Sequence, residues 1–319
     1  MGMDAAAHTD RCTEIIETVA SAVVTDRSVL ETILVGILAD GHILLEDVPG
    51  TGKTLTARSF GNAVGCSTAR VQFTPDLLPA DVIGSNVYNE ETGDFEFQPG
   101  PIFANVVLAD EINRAPPKTQ AALLEAMEEG QVTVDGESHP LPQPFVVIAT
   151  QNPVETDGTF ELPAAQTDRF MIKTSLGYPD RAGSLDLLDR RATRETKSPT
   201  VEQVCTPDDL RTLRAAPESV RMAPAVREYL VDIGHATRTD DRVAAGVSPR
   251  GLQRFFEAVR SQAVLEGRSY VTPDDIKTLA PVVVAHRLVL TPDARVEGVA
   301  ASDVVDDILE AEPVPQLSA

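Results

Sequence analysis

A short apolar run leads directly into a glycine-containing turn that ends in Gly-Lys-Thr. The run Ile43-Leu44-Leu45-Glu46 is followed by Asp47, Val48, Pro49, Gly50, Thr51, Gly52, Lys53, Thr54 and Leu55. In such a turn, backbone N–H groups close around a triphosphate, the lysine reaches the β and γ phosphates, and the next hydroxyl holds Mg²⁺. The sequence therefore predicts a phosphate-binding loop over Asp47 to Leu55, with Lys53 and Thr54 in these two roles. A helix that starts here would direct its positive N-terminal end at the phosphates.

Asp47 departs from the consensus of such loops, G-x-x-x-x-G-K-[ST], which has glycine at this position. Aspartate adopts unusual backbone angles more readily than most residues, so we expect the loop to keep its shape. A carboxylate beside phosphates offers no evident benefit, however. On this segment alone, a chance Gly-Lys-Thr match is the alternative interpretation.

Two adjacent acids follow the apolar run Val106–Ala109, which is typical of a buried strand. In an open parallel sheet, ligands bind at the carboxyl ends of the strands. There Asp110 would hold Mg²⁺ through water, and Glu111 would polarise the water that attacks the γ-phosphate. A solvated acidic turn is the alternative, but together with the phosphate loop the pair indicates a joint nucleotide site.

These residues need strands that end at a common edge. Further strands are predicted at Val71–Phe73, Phe145–Ala149 and Met171–Thr174, and a helix at Pro117–Glu129, opened by its proline and closed by glycine. Two more helices are predicted over Asp10–Ala39. Strands that alternate with helices predict an α/β fold, a mostly parallel sheet with helices on both faces.

Beyond about residue 178 the strand patterns stop, and three helices are predicted to start with proline, at Pro224, Pro249 and Pro273. We expect an α/β nucleotide-binding domain over residues 1–178 and an all-helical domain over residues 179–319. Two segments of the first domain, Asn86–Phe97 and the one with the turn Asp135-Gly136, are predicted to be inserted hairpins.

The overall charge limits the possible partners. The chain of 319 residues carries 49 acidic and 27 basic residues, a net charge of −22, and five of its basic residues are lysine. Such a surface repels bare nucleic acid. An acidic, lysine-poor surface is typical of halophilic proteins, whose self-repulsion is screened at high ionic strength; an ordinary acidic protein is the alternative.

Other sequence features exclude several classes of protein. Cys12, Cys66 and Cys205 are odd in number and widely spaced, which argues against a disulfide framework or a zinc site. No run approaches the roughly 18 apolar residues of a membrane span, and the start of the chain, Met1–Asp4 onward, lacks a basic region followed by an apolar stretch. We expect a cytoplasmic protein without a membrane span.

Several long motifs resemble those of MoxR-type AAA+ ATPases, over about Val24 to Leu290. The residues that carry the resemblance are the runs Val71–Pro79, Ala109–Met127, Ala149–Pro153 and Leu162–Phe170. The resemblance implies an AAA+ domain followed by a helical lid, with ATP and Mg²⁺ bound at the predicted loop.

The resemblance also implies roles for residues outside the loop. Asn152 resembles the first sensor, whose amide orients the attacking water; a turn-forming asparagine before Pro153 is the alternative. Arg169 resembles the arginine finger, which reaches into the neighbouring subunit's site and stabilises transition-state charge. A local ion pair with Asp168 is the alternative for this residue.

Arg250 resembles the second sensor of the lid. Ser248 is the predicted N-cap and Pro249 the first helical residue, so Arg250 places a cation at the positive end of a helix, where nearby phosphate would be favourable. An exposed arginine paired with an acid elsewhere is the alternative. Arg114 would contact a neighbouring subunit or the pore, and the pair His286-Arg287 matches the family's lid.

At the level of assembly, the resemblance implies a homo-oligomeric ring, a hexamer, with the two hairpins along its pore. We interpret the hairpins as acidic and non-aromatic, which suits a protein client better than nucleic acid. The family commonly assists proteins with von Willebrand factor A domains. Two rival functions are a DNA-acting AAA+ motor and an ATP-gated scaffold with little hydrolysis.

Overall fold

The computed structural model of the chain describes residues 5–153, 159–160, 162–196 and 199–315. Residues 1–4, which bear on the expected absence of a leader, lie outside the described part. Within it, no helix is long and apolar enough to cross a membrane. The three cysteines are buried free thiols.

The strands of the first domain form one central sheet and two separate hairpins. In chain order they are β1 (Ile43–Glu46), β2 (Thr68–Gln72), β3 (Gly84–Asn89), β4 (Asp94–Pro99), β5 (Val106–Asp110), β6 (Gln131–Val134), β7 (Glu137–Pro140), β8 (Val146–Gln151) and β9 (Ile172–Thr174). The central sheet has the order β2-β5-β8-β1-β9, and all its strand pairs are parallel. The phosphate loop and the Asp110-Glu111 pair therefore follow two strands that end at the same edge of the sheet.

Both faces of the sheet are buried. Ile43 and Leu45 belong to one hydrophobic cluster, while Leu44 belongs to the other, because successive side chains of a strand point to opposite faces. This explains why these strands read as continuous apolar runs in the sequence. The helices of this domain are α1 (Ala5–Ala22), α2 (Arg27–Leu38), α3 (Lys53–Ala63), α4 (Pro79–Ile83), α5 (Pro117–Glu129) and α6 (Ala164–Thr167).

The two hairpins, β3–β4 and β6–β7, occur where the sequence predicts them, but the expectation that they lack aromatic residues is wrong. Tyr88 and Phe95 lie opposite each other, with ring centroids 5.4 Å apart, and are 53% and 71% exposed. A two-stranded ribbon cannot bury both of its faces, so the alternation of side chains leaves this pair in solvent. On another part of the ribbon, Phe97 stacks on His139 at 3.8 Å and so joins the two hairpins.

The rest of the chain is mainly helical. Its helices are α7 (Arg181–Thr193), α8 (Pro207–Ala215), α9 (Pro224–Thr239), α10 (Pro249–Leu265), α11 (Pro273–Val284), α12 (Pro292–Val296) and α13 (Ala301–Ala311). The three predicted proline starts are confirmed. One addition to the expected all-helical domain is a small antiparallel pair of strands, β10 (Val243–Ala245) and β11 (Val289–Leu290). The position of the domain boundary near residue 178 stays a prediction.

The helical lid packs against the N-terminal helices. A single hydrophobic cluster joins Ile16 of α1 and Ile33 of α2 with Phe255 of α10 and Ile276 of α11, and all four side chains are fully buried. The same cluster includes one face of the sheet. The α/β domain and the lid therefore share a continuous core, which fixes where the lid's charged residues lie.

Candidate nucleotide site

The phosphate loop joins β1 to α3 and contains two left-handed glycines. Gly50 and Gly52 have φ angles of 89° and 96°, and a Cβ built on either would meet nothing within 4 Å. A non-glycine side chain is strained at such angles, so glycine is required by the backbone. The open space beside both residues lets a ligand approach the main chain closely.

Lys53 closes the loop upon itself. Its Nζ donates hydrogen bonds to the carbonyl oxygens of Asp47 and Val48, at 2.6 and 2.9 Å. Burial lowers the pKa of Lys53, against the opposing effect of the carboxylates of Asp47, Asp110 and Glu111. The ammonium is thus held inside the loop, at the N-terminus of α3, where phosphate oxygens would meet it.

The Asp47 carboxylate points away from the phosphate-binding face. Its Oδ2 accepts hydrogen bonds from the backbone N–H groups of Leu176 and Gly177, at 2.8 and 2.9 Å, and the residue is 7% exposed. Asp47 is not among the residues with positive φ, so an unusual backbone angle does not explain its presence. The sequence-based reason for tolerating Asp47 is therefore wrong, and the structure supplies another one.

The two residues predicted to hold Mg²⁺ are in contact. The Thr54 hydroxyl donates to Asp110 Oδ2 at 3.2 Å, and Asp110 Oδ1 accepts from Thr150 at 2.6 Å. Burial opposes ionisation of Asp110, but hydrogen bonds from Thr150, Arg70 and Thr54 and the charge of Arg70 outweigh it and lower its pKa. Among the described residues, no group of three or more His, Cys, Asp or Glu side chains could cage a metal. A hydroxyl and one ionised carboxylate beside a phosphate loop fit Mg²⁺, which keeps water and phosphate oxygens as its other ligands.

Arg70 is a site residue that the sequence analysis missed. Its guanidinium lies 2.7 Å from Asp110 Oδ2 and supplies the positive charge next to this carboxylate. Arg70 is on β2, which pairs with β5 and therefore runs alongside Asp110. No local pattern distinguishes Arg70 from a surface arginine, because its role depends on which strand lies next to β5.

Glu111 occupies a strained turn at the end of β5. Its φ is 57°, a left-handed conformation that is uncommon for residues other than glycine and that often marks functional sites. Its backbone N–H donates to the Thr150 hydroxyl at 2.8 Å. Its carboxylate accepts from Gln72 at 2.8 Å and lies 3.0 Å from the Arg114 guanidinium. These contacts hold the carboxylate at the sheet edge while leaving it partly exposed.

One cavity of about 340 Å³ brings the predicted catalytic groups together. Its lining includes six of the nine predicted loop residues, Pro49, Gly50, Gly52, Lys53, Thr54 and Leu55, together with Asp110, Glu111 and Asn152. Asn152 is 6% exposed and directly follows β8. The carboxyl ends of β1, β5 and β8 thus converge on one space, as the parallel sheet predicts.

A second cavity of about 740 Å³ shares Gly50, Gly52, Thr54 and Leu55 with the first and is also lined by Thr51. Its far side is formed by the end of α1 and the residues after it, including Val24, and by Leu187, Arg190 and Arg191 of α7. This space extends the phosphate site toward a region that could take a nucleobase and ribose. The sequence analysis did not identify this part. Asp47 and Val48 line neither of the two cavities.

Arg169 and Arg250 meet at the same carboxylate. Arg169 Nε lies 3.1 Å from one oxygen of Glu128, and Arg250 forms an ion pair with the other oxygen. Ser248 caps α10 as predicted, by accepting from Gly251 N–H at 3.0 Å. Asp168 pairs with Arg287 at 2.8 Å, so the alternative pairing of Arg169 with Asp168 is wrong. Neither Arg169 nor Arg250 lines the two cavities of its own chain.

Two family descriptions match the chain. Residues 42–172 match the ATPase family associated with various cellular activities (AAA), and residues 235–308 match the AAA lid domain. The first range covers the phosphate loop, the Asp110-Glu111 pair and Arg169, while the second contains Arg250. A crystal structure from Cytophaga hutchinsonii, of a protein described as a candidate ATPase, superimposes with a TM-score of 0.90 at 36% identity, over 98% of this chain and 97% of that one.

Relatives that match nearly the whole chain show which family of AAA+ proteins it resembles. YeaC of Bacillus subtilis is 47% identical over 94% of this chain and 93% of its own. Chaperone MoxR1 of Mycobacterium tuberculosis is 40% identical over 93% of this chain and 80% of its own, and MoxR of Methylorubrum extorquens is 32% identical over 93% and 92%. With the AAA fold and the helical lid in place, the chain belongs to the MoxR family of AAA+ ATPases.

Proposed function

We propose that the protein hydrolyses ATP in the presence of Mg²⁺ and uses this reaction to remodel a protein client. The observation that carries the proposal is the cavity in which Lys53, Thr54, Asp110, Glu111 and Asn152 converge. Phosphoryl transfer needs a loop that binds the phosphates, a positive charge that reaches them and a carboxylate that orients water.

Each residue of the cavity has its own role in the proposed reaction. Lys53 and the backbone N–H groups of the loop bind and orient the β and γ phosphates. Thr54 and Asp110 would hold Mg²⁺, which when bound neutralises charge on the phosphate oxygens. Glu111 accepts a hydrogen bond from the attacking water and so aligns it with the γ-phosphorus, while Asn152 fixes its position.

Glu128 and its two arginines support a site completed by a second subunit. Arg169 and Arg250 share Glu128 and lie outside their own chain's nucleotide cavities. We infer that both act on the ATP of the neighbouring subunit in a closed, hexameric ring, because head-to-tail contacts form a ring when the rotation between subunits closes. There they would exchange Glu128 for the γ-phosphate, an anion of higher charge.

A protein client is favoured over nucleic acid. The net charge of −22 opposes binding of a phosphate backbone, and the β3–β4 hairpin presents exposed Tyr88 and Phe95 next to acidic residues. One relative, MoxR1 of Mycobacterium tuberculosis, is named a chaperone. We propose a client of the von Willebrand factor A class, and a cytoplasmic location, which the buried free thiols support.

An Asp47 carboxylate beside the phosphates would favour the alternative of an ATP-gated scaffold with little hydrolysis. This carboxylate is bonded to Leu176 and Gly177 instead, and Glu111 and Arg169 are both present. These observations favour hydrolysis over mere binding. The acidic surface further suggests a halophilic protein, so we propose assays at high salt.

The test is steady-state ATP turnover with Mg²⁺ in molar KCl, comparing the wild-type protein with Glu111→Gln. We expect turnover to fall by at least about 100-fold in the variant while ATP binding is retained, because only the alignment of water is lost. Lys53→Ala serves as the control that loses binding itself. Equal turnover in the wild type and Glu111→Gln would place the reaction elsewhere.

A further inference from the structure

Asp47 links the phosphate loop to the segment that leads into the lid. The residues between β9 and α7 pass beside the loop, and Asp47 Oδ2 accepts from two successive N–H groups there, Leu176 and Gly177. The Ser175 hydroxyl lies 3.4 Å from the same oxygen. All three donors therefore converge on one buried carboxylate oxygen.

The main chain of Asp47 takes part in the loop itself. Its carbonyl oxygen accepts from Lys53 Nζ at 2.6 Å, and its N–H donates to the Gln151 carbonyl at 3.1 Å, next to Asn152. One residue thus contacts the phosphate-binding lysine through its backbone and the approach to the lid through its side chain. Glycine, the consensus residue, would keep the first contact and lose the second.

The segment 175–177 lies between the phosphate loop, to which it is hydrogen-bonded, and α7. It leads into α7, whose Leu187 and Arg190 line the larger nucleotide cavity. On its other side, the Leu176 carbonyl accepts from the Thr25 hydroxyl at 3.0 Å, and the Leu176 side chain is buried. A nucleotide that fills both cavities would contact the loop at one end and α7 at the other, with this segment between them.

We propose that Asp47 is a positioning residue that ties residues 175–177 to the phosphate loop, so that the state of the bound phosphates is passed to α7 and the lid. This inference rests on the proposed ATPase function. It assigns a purpose to the departure from the consensus, because a carboxylate can hold two backbone N–H groups where glycine holds none.

The tether is tested by amide hydrogen exchange across residues 174–180 and by ATPase kinetics, for the wild type, Asp47→Gly and Asp47→Asn. For the exchange comparison all proteins carry Glu111→Gln, so that ATP stays bound. With Asp47 intact, we expect exchange to slow when ATP and Mg²⁺ are added. In Asp47→Gly we expect exchange about tenfold faster without nucleotide, and no response to ATP. With Glu111 intact, kcat should fall about tenfold while the Kd for ATP stays within about threefold.

Asp47→Asn keeps one acceptor oxygen but loses the charge, so it should show much of the ATP response that Asp47→Gly lacks. It also replaces Asp47→Gly as the test variant if the glycine variant is unstable. Asp180→Asn is the matched control, because Asp180 lies in the same linker but bonds to Gly183 N–H, at 2.7 Å, and not to the loop. It should keep the ATP response of residues 174–180.

Wild-type exchange and wild-type kcat in Asp47→Gly would overturn the tether. So would loss of ATP binding in that variant, since it would place Asp47 in the binding site itself. If the wild type lacks turnover, the proposed function fails. The exchange of Asp47→Gly without nucleotide then still decides whether the tether exists.

Discussion

His42 shows how a single buried residue can order the centre of the sheet. Its Nδ1 accepts from the Val147 N–H at 3.0 Å, and its Nε2–H donates to the Met127 carbonyl at the same distance. These bonds connect the start of β1 with β8 and with the last turn of α5. Both ring nitrogens have partners in the neutral form, and burial lowers the pKa of His42 to about 4. The ring therefore stays neutral in the folded protein at pH values where it would be charged in the unfolded chain.

This depressed pKa predicts a loss of stability in mild acid. Well above pH 6.5, His42 is neutral in both the folded and the unfolded state and does not change the free energy of unfolding. As the pH falls toward 4, the unfolded chain binds a proton that the folded protein does not. Between pH 7.5 and 5, His42 should lower the free energy of unfolding by about 2 kcal/mol. Denaturant unfolding at both pH values measures this, and His42→Gln should reduce the difference by that amount.

An NMR titration of the wild type gives a direct check that needs no variant. A His42 ring that titrates near pH 6.5 in the folded protein would contradict the argument. The carboxylates that also titrate in this range contribute equally to the wild type and to His42→Gln, so the comparison isolates the histidine.

At this scale, the sequence predicted the residues whose roles depend on local spacing. Lys53 and Thr54 come after the short loop that follows β1, and Asp110 and Glu111 lie at the end of β5, so their convergence needs only a parallel sheet. Arg70 and the true contacts of Asp47 could not be predicted, since both depend on which distant segment lies alongside. The same holds for Glu128, which is an ordinary surface acid of α5 until the lid places Arg250 beside it.

At the scale of elements, the lid holds the loop that carries Arg169. Arg287 ends a short 3-10 helix after α11 and is 6% exposed. Its guanidinium donates to the Asp168 carboxylate at 2.8 Å and to the Phe170 carbonyl at 2.6 Å, on either side of Arg169. Burial lowers the pKa of Arg287 to about 10, with Asp168 opposing this effect, so the group remains charged at neutral pH. The sequence predicted the helix that starts at Pro273, but not this clamp between Arg287 and the loop that carries Arg169.

Arg287→Gln should therefore affect both stability and catalysis. Removing one partner of a buried ion pair leaves Asp168 without its counter-charge, and we expect the free energy of unfolding to fall by about 3 kcal/mol. Because Arg169 would act on a neighbouring subunit, kcat should fall while the Kd for ATP is unchanged. Arg295→Gln, at an exposed lid arginine, is the control and should change stability by less than about 0.5 kcal/mol. A fall in ATP affinity at constant kcat would count against the clamp.

At the scale of the whole molecule, the shared core determines which site the lid can serve. The lid packs on α1, α2 and one face of the sheet, and this places Arg250 next to Arg169 instead of in its own nucleotide cavities. The family resemblance predicts that Arg250 is a sensor but does not specify which subunit's ATP it would contact. That information depends on how two domains pack, which no local pattern encodes.

Mixing inactive variants distinguishes the two possibilities for Arg250. Glu111→Gln lacks the carboxylate that we propose aligns water but keeps both arginines, whereas Arg169→Ala and Arg250→Ala keep Glu111. If both arginines act on the neighbouring subunit, an equal mixture of Glu111→Gln with either arginine variant should regain about a quarter of wild-type turnover, because a random ring forms intact composite sites at that frequency. If Arg250 instead serves its own chain, Arg169→Ala will be rescued and Arg250→Ala will not. The control is a mixture of Arg169→Ala with a chain that carries both Glu111→Gln and Arg250→Ala. The doubly substituted chain can donate Arg169 but not Arg250, so this mixture should give no rescue if both arginines are needed at the same composite site.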